Sequence, residues 1–92
     1  MGPESARILK AVLCDGSVWL NYRLGIAEGI TLLCRRFMEA EFSAIAEDEP
    51  APVIDARPKL NPDRPETRCY RAILRYANGA CVLSNEIVLT LP

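Results

Sequence analysis

The side chains with the most chemistry to offer in this 92-residue chain are its four cysteines, Cys14, Cys34, Cys69 and Cys81. No two of them have CxxC spacing, and the chain contains no histidine that could complete a mixed zinc site. Free cysteine usually behaves as a small, buried or half-buried apolar residue. The sequence therefore favours reduced structural thiols, with one disulfide or an all-cysteine metal site as the alternatives.

Other side chains give little support for catalysis. Histidine, the commonest general base, is absent, and no G-x-S-x-G, P-loop or G-x-G-x-x-G motif is present. Ser17 and Ser84 have neighbours typical of turns, and the three carboxylates at 47–49 are adjacent in a loop, where consecutive side chains splay apart. We predict that the protein is not an enzyme and has no catalytic residue, metal or cofactor.

The composition is that of a single folded domain with little net charge. Half of the residues are apolar, a quarter are charged, and the net charge is −1. Four arginines lie close together in sequence, at Arg64, Arg68, Arg71 and Arg75. Because a nucleic-acid-binding domain usually has a clear basic excess, we do not expect nucleic acid as a partner. No apolar run approaches the roughly 20 residues of a bilayer span, so we expect no membrane association.

Two hairpins are predicted, one near each end of the chain. Their apolar, β-friendly runs are 8–13 with 18–23, and 67–77 with 81–91. Turn residues at 14–17 separate the first pair, and Asn78-Gly79, the strongest short-range hairpin signal, separates the second. A brief strand at 53–55 precedes a connector at 58–65 that contains three prolines.

The segment 30–47 is compatible with two structures. Its apolar residues fall near helical spacing, and Met, Glu, Ala and Arg are good helix formers. The same residues also form a strand at 30–36, a turn at 37–41 and a second short strand at 42–46. Periodicity alone cannot separate these two interpretations.

Taken in order, the predicted strands resemble a fibronectin type III domain. The run Ser17-Val18-Trp19-Leu20-Asn21-Tyr22 is similar to the family's S-V-x-L-x-W strand, with Tyr22 in place of its tryptophan. The run from Tyr70 to Gly79 resembles the family's Y-x-V-x-A-x-x-x-x-N-G strand and turn, and 30–36 with 42–46 resembles two further strands.

The resemblance implies an all-β, seven-stranded, immunoglobulin-like antiparallel β-sandwich. It would form one domain over 8–92, preceded by an N-terminal extension at 1–7, and 30–46 would supply two of its strands. The alternative is an α+β domain with one central helix at 30–47. In the sandwich Tyr70 is the corner tyrosine, whose hydroxyl returns to the connector backbone. The implied core consists of Val18, Leu20, Tyr22, Ile30, Leu32, Cys34, Tyr70, Ala72, Leu74, Tyr76, Ile87 and Leu89.

If 30–36 and 67–76 are neighbours in one sheet, their outward side chains form a candidate protein-binding face. Strand alternation places Thr31, Leu33, Arg35, Arg71, Ile73, Arg75 and Val88 there. Leu33, Ile73 and Val88 would form an apolar stripe flanked by arginines, a composition that protein interfaces favour. Trp19, outward on the other sheet, is a second candidate anchor.

These features favour a non-catalytic protein-binding or structural module, such as a component of a phage virion or of another assembly. We expect a protein partner, and a homo-oligomer is allowed. The start of the chain shows no secretory signal, so we expect a cytoplasmic or virion location, or an extracellular one for an excised module. The alternatives are a small intracellular inhibitor that masks a partner through its acidic run at 39–49, and a carbohydrate-binding module that uses Trp19.

Overall fold

The computed structural model of the protein describes residues 8–22, 27–36 and 38–92, and the expected N-terminal extension at 1–7 lies outside them. In this part of the chain all the regular secondary structure consists of β-strands. The strands are β1 (Ile8–Cys14), β2 (Ser17–Tyr22), β3 (Gly29–Arg36), β4 (Ser43–Glu49), β5 (Ile54–Asp55), β6 (Glu66–Arg75), β7 (Cys81–Leu83) and β8 (Ile87–Leu91). The all-β prediction is confirmed.

The strands form two antiparallel sheets that share one apolar core. The three-stranded sheet has the order β1-β2-β5. In the five-stranded sheet β4, β3 and β6 follow one another, and the far side of β6 pairs first with β8 and then with β7 along its length. β6 is therefore the strand to which most of the larger sheet is hydrogen-bonded.

Both predicted hairpins are present. A two-residue loop joins β1 to β2, and both of its residues, Asp15 and Gly16, have positive φ (50° and 80°), as a type I′ hairpin turn requires. In the second hairpin the Tyr76 amide donates to the Ala80 carbonyl at 2.9 Å, and Gly79 adopts a φ of 85°. Turn chemistry at these positions was sufficient to locate both reversals.

The ambiguous segment forms strands, so the alternative with a helix at 30–47 is wrong. β3 is paired with β6 along its whole length, and its side chains alternate between buried and half-buried from Ile30 to Arg35. The pairing with β4 is less regular, with register shifts between Ile30 and Leu33. β3 is hydrogen-bonded to β4 on one side and to β6 on the other. This pairing outweighs a helix propensity of a few tenths of a kcal/mol per residue.

The core prediction is largely confirmed. Of the residues expected inside, Val18, Leu20, Ile30, Leu32, Cys34, Tyr70, Ala72 and Leu74 are buried. Tyr76, Ile87 and Leu89 are partly buried and pack against the core, and the side chain of Tyr22 lies outside the described residues. The prediction omitted three buried apolar residues, Ala27, Val53 and Leu91.

The predicted last strand is divided by a bulge, which makes eight strands in the described chain instead of seven. From Leu83 to Ile87 the chain takes four residue steps, whereas its partner β6 takes three from Ile73 to Tyr70. Ser84 bridges the break, because its hydroxyl accepts from the Ala72 amide at 2.8 Å and its own amide donates to the Ala72 carbonyl at 2.8 Å. The extra residue reverses the strand's alternation.

Removal of the Ser84 hydroxyl should destabilise the fold. Ser84→Ala leaves the buried Ala72 amide without its acceptor, which costs about 1–3 kcal/mol in free energy of unfolding. Urea-induced unfolding measures this loss, with Ser43→Ala on the exposed part of β4 as the matched control. Equal stability of the two variants would contradict a ladder completed by the hydroxyl.

Candidate functional site

The long strand β6 carries two different sets of side chains on its two faces. Its burial alternates strictly along the strand. Glu66, Arg68, Tyr70, Ala72 and Leu74 point into the protein, whereas Thr67, Cys69, Arg71, Ile73 and Arg75 lie on the outer face of the five-stranded sheet. The inner set includes two charged residues, which strand alternation places in line with the apolar core.

Arg68 is the centre of a buried group of charges. Its side chain is 0% exposed, and each of the three guanidinium nitrogens donates to at least one acceptor. Nη1 donates to Asp55 Oδ2 at 3.1 Å, Nε donates to Glu66, and Nη2 donates to the carbonyls of Arg57 and Pro58, both at 3.1 Å. We call Arg36, Asp55, Arg57, Glu66 and Arg68, with the Tyr70 hydroxyl, the inner ion cluster.

Asp55 joins the two sheets. It lies on β5 of the three-stranded sheet and accepts hydrogen bonds from Arg68 and Tyr70 of β6 in the other sheet. Arg57 adds a two-pronged contact, with Nε at 2.9 Å from Oδ1 and Nη2 at 3.0 Å from Oδ2. Burial alone would raise the pKa of the Asp55 carboxyl, but the bonds from Arg57 and Tyr70 lower it to about 2.

The expected role of Tyr70 as a corner residue needs one correction. Its hydroxyl does not return to the connector backbone but donates to Asp55 Oδ2 at 2.7 Å. A buried carboxylate is a stronger acceptor than a carbonyl, and Asp55 lies three residues before the connector. Burial, together with the neighbouring anion, raises the pKa of the Tyr70 phenol, so it remains a donor.

Glu66 fixes the proline-rich connector to the sheet. Its Oε1 accepts from the Leu60 amide at 2.8 Å, and its Oε2 accepts from Arg68 and from Arg36 Nε at 3.1 Å. Arg36 also donates to the Pro58 carbonyl. Burial opposes ionisation of Glu66, but these donors outweigh it and lower the pKa of the carboxyl. A segment with few backbone donors of its own is thereby held by side chains.

The polar groups of the inner ion cluster are all engaged in hydrogen bonds. Among the described residues, every buried side-chain nitrogen or oxygen has a hydrogen-bond partner. Burial raises the pKa of the nearby Cys34 thiol, which keeps it protonated and a poor nucleophile. The arrangement can hold two sheets and a connector together, which is a structural task.

This cluster was not predicted, because Arg68 was considered only together with Arg64, Arg71 and Arg75 as arginines that lie close in sequence. The structure separates them: Arg68 is buried, whereas Arg71 and Arg75 lie on the opposite face of β6. One signal was available. Tyr70, Ala72 and Leu74 were predicted to point inward. Alternation then also places Arg68 and Glu66, two and four residues before Tyr70, inside the protein.

Six of the seven predicted binding residues share the outer face of the five-stranded sheet. Leu33, Arg35, Arg71, Ile73, Arg75 and Val88 all lie there, in the opposite phase to the core residues of β3, β6 and β8. Direct cross-strand pairs place Leu33 beside Arg71, and Cys69 lies between Arg35 and Val88. The structure therefore brings these residues into one surface, which we call the outer face.

The apolar residues of the outer face are arranged differently from the predicted stripe. Ile73 is paired with Leu83, which is 45% exposed and was not predicted, whereas Val88, 60% exposed, is paired with Cys69. Unbroken alternation over 81–91 would have turned Leu83 inward together with Ile87. The bulge after Leu83 places both Leu83 and Val88 outside.

Arg75 is neutralised within the protein. Its Nε donates to Asp48 Oδ1 at 2.8 Å, and its Nη1 lies 3.5 Å from Glu28 Oε2. The contact with Asp48 crosses β3 above Gly29, where an added Cβ would collide with the carboxylate. Arg75 therefore links β6 to β4 and does not present an unpaired charge.

Within the described residues, the acceptors bonded to Arg35 and Arg71 are all neutral. Arg35 donates to the Glu39 carbonyl at 3.3 Å and contacts Cys69 Sγ at 3.6 Å, with its guanidinium 5.7 Å from the centre of the Phe42 ring. Arg71 donates to the Ser84 carbonyl through Nε at 3.3 Å and Nη2 at 3.2 Å. The ion pairs found in the described part of the chain include Arg75 but neither of these residues.

A groove lies at the Arg35 end of the outer face. It has a volume of about 340 Å³ and is lined by Arg35, Arg36, Met38, Glu39, Thr67 and Cys69. Met38, which follows β3, is 86% exposed and forms an apolar part of its wall. The groove is continuous with the outer face, because Cys69 is paired with Arg35 on one side and with Val88 on the other.

Trp19, the seventh predicted residue, lies on the outer surface of the three-stranded sheet. It is 42% exposed and is paired with Val12 on one side and Ile54 on the other. The row is apolar, but its other members are aliphatic and not aromatic. The outward placement of Trp19 thus leaves it apart from the outer face and its arginines.

The cysteines only partly follow the prediction. All four are free thiols, Cys34 is buried and Cys69 is half-buried, as expected for structural thiols. Cys14 and Cys81 are exposed, because each stands at a strand end beside a turn. In the ranges that the structure describes, no three acidic or cysteine side chains converge as metal ligands do.

Comparisons with protein-family models, with curated proteins and with solved structures found no match. The described residues include no helix long and apolar enough to cross a membrane.

Acid should weaken the inner ion cluster through Asp55. Its pKa is about 2 in the folded protein and about 4 in an unfolded chain, so its contribution, about 2 kcal/mol, is complete above roughly pH 4 and lost as the pH falls through about 2. Glu66, with its lowered pKa, acts in the same direction. Urea unfolding across this pH range measures the effect.

The control for this experiment is Asp63→Asn, on the exposed connector, which should retain the full loss of stability in acid. Asp55→Asn should be less stable near neutral pH and should show a much shallower pH dependence. Parallel pH profiles for Asp55→Asn and the wild type would contradict a role for Asp55 as a buried anion.

Proposed function

We propose that the protein is a non-catalytic protein-binding module of fibronectin type III-like form, which binds a partner through its outer face. Counting β7 and β8 as one bulged strand gives seven strands. The first, second and fifth lie in one sheet and the third, fourth, sixth and seventh in the other. The shared core and the Greek-key-like exchange of strands between sheets support such a sandwich.

The observation that carries the proposal is the composition of the outer face. Arg35 and Arg71 stand there without a carboxylate partner among the described residues, beside the exposed apolar side chains of Leu83 and Val88. Arginine next to apolar groups is enriched in protein interfaces, and arginine is a frequent hot-spot residue. An unpaired guanidinium gains most from a carboxylate supplied by a partner.

The state of the other polar groups supports binding over catalysis. The carboxylates of Asp55 and Glu66 are occupied by arginines, and the Cys34 thiol is held protonated by burial. The inhibitor alternative depended on an acidic helix within 30–47, and that segment forms strands. The open sheet surface is the part of the described chain that best suits recognition.

The proposal can be tested with a photo-reactive amino acid placed at Val88, at Leu83 and, as a control, at Leu60. All three side chains are exposed, but Leu60 lies on the connector, away from the outer face. In cells that naturally make the protein, we expect one shared cross-linked partner from Val88 and Leu83 and no such product from Leu60.

Substitution then checks that the cross-link reports a functional contact. Val88→Asp and Leu83→Asp should each weaken binding of the identified protein by about tenfold or more, while Leu60→Asp leaves it unchanged. Urea unfolding of each variant shows whether the fold is intact. A partner whose affinity is insensitive to both outer-face substitutions, or one captured equally well from Leu60, would refute the proposed function.

A further inference from the structure

We propose that the occupant of the outer face is an extended, acidic segment of a partner protein. The segment seats one apolar side chain in the groove beside Met38 and places carboxylates against Arg35 and Arg71. This inference rests on the proposed function and names the chemistry of its partner.

The charge distribution of the outer face selects an acidic partner. Of its three arginines, Arg75 is balanced by Asp48 and Glu28, so the remaining positive charge is concentrated at Arg35 and Arg71. These two are diagonal neighbours, because Arg71 is paired with Leu33, two residues before Arg35. Diagonal partners in a sheet lie about 7–8 Å apart, a distance that neighbouring carboxylates of one short segment can match.

The acceptors that these guanidiniums now use can be exchanged for stronger ones. Arg35 is bonded to a carbonyl and a sulfur, and Arg71 to the Ser84 carbonyl, all at 3.2 Å or more. A carboxylate forms shorter, charge-assisted bonds that are roughly twice as strong as neutral ones. Both side chains therefore gain from an anionic ligand without breaking an existing ion pair.

The groove sets the direction and shape of the segment. It lies beside Thr67 and Cys69, and the rest of the outer face continues along β6 through Arg71 to Ile73. From Thr67 to Ile73 the strand spans about 20 Å, at roughly 3.3 Å per residue. A chain in extended form covers this length with about six residues. It reaches the groove at one end and Leu83 at the other.

The same features disfavour other occupants. A nucleic acid would need a broader basic surface than two arginines on a chain with a net charge of −1. A second copy of this chain would need exposed, unengaged acidic groups on an extended segment. Its acidic strand end at 47–49 is part of a sheet, and there Asp48 is already paired with Arg75.

The test is selection of random peptides displayed on phage against the wild-type protein, followed by affinity measurement with synthetic copies of the enriched peptides. We expect the enriched sequences to combine Asp or Glu with Leu, Ile, Met or Phe. Arg35→Ala and Arg71→Ala should each weaken binding by about tenfold or more, and Met38→Asp should weaken it similarly. Arg64→Ala, on the exposed connector, is the matched control and should have no effect.

Several results would overturn the inference. The selection could yield no binder, or it could enrich peptides that lack carboxylates. The affinities could be unchanged in both arginine variants. An oligonucleotide could displace the peptides, or the protein could self-associate in a way that Val88→Asp abolishes. Failure of the acidic-segment proposal can be distinguished from failure of the proposed function. A cross-linked partner that depends on Val88 but not on Arg35 or Arg71 would retain the binding face and reject its acidic ligand.

Discussion

The fold depends on one buried cation, Arg68. Removing a guanidinium from water costs several kcal/mol unless it is paired and fully hydrogen-bonded. Here that requirement can be met only if Asp55 of the three-stranded sheet, Glu66 of β6 and the carbonyls at the start of the connector all converge on one point. The position of Arg68 thereby fixes how β5 packs against β6 and where the proline-rich connector runs.

The same constraint determines the composition of the outer face. Side chains of a strand alternate, so a shift of β6 by one residue would expose Arg68 and turn Cys69, Arg71 and Ile73 into the core. Such a shift would turn Glu66 outward together with Arg68 and would leave the buried carboxylate of Asp55 on β5 without Arg68. The inner ion cluster thus fixes the phase of β6 and so presents Arg71 to the solvent. Stability and the proposed recognition are therefore coupled through the alternation of a single strand.

The sequence was sufficient for the hairpins, for the apolar inner residues of β2, β3 and β6, and for most of the outer face, because turn residues and alternation are local signals. It was insufficient for three features that depend on distant segments. The burial of Arg68 requires Asp55, the neutralisation of Arg75 requires Asp48 across Gly29, and the outward position of Leu83 requires a bulge completed by Ser84. Each is decided by a partner far away in sequence or by one extra residue.

The most direct test of this account is to make the same substitution at two arginines of β6 that lie three residues apart, on opposite faces of the strand. Urea unfolding would be compared for Arg68→Met and Arg71→Met. We predict that Arg68→Met loses about 3 kcal/mol or more, because it leaves two buried carboxylates underpaired, whereas Arg71→Met loses less than about 1 kcal/mol. Equal losses, or a larger loss at Arg71, would contradict the division of β6 into an inner side that stabilises the fold and an outer side that is left available for the proposed binding.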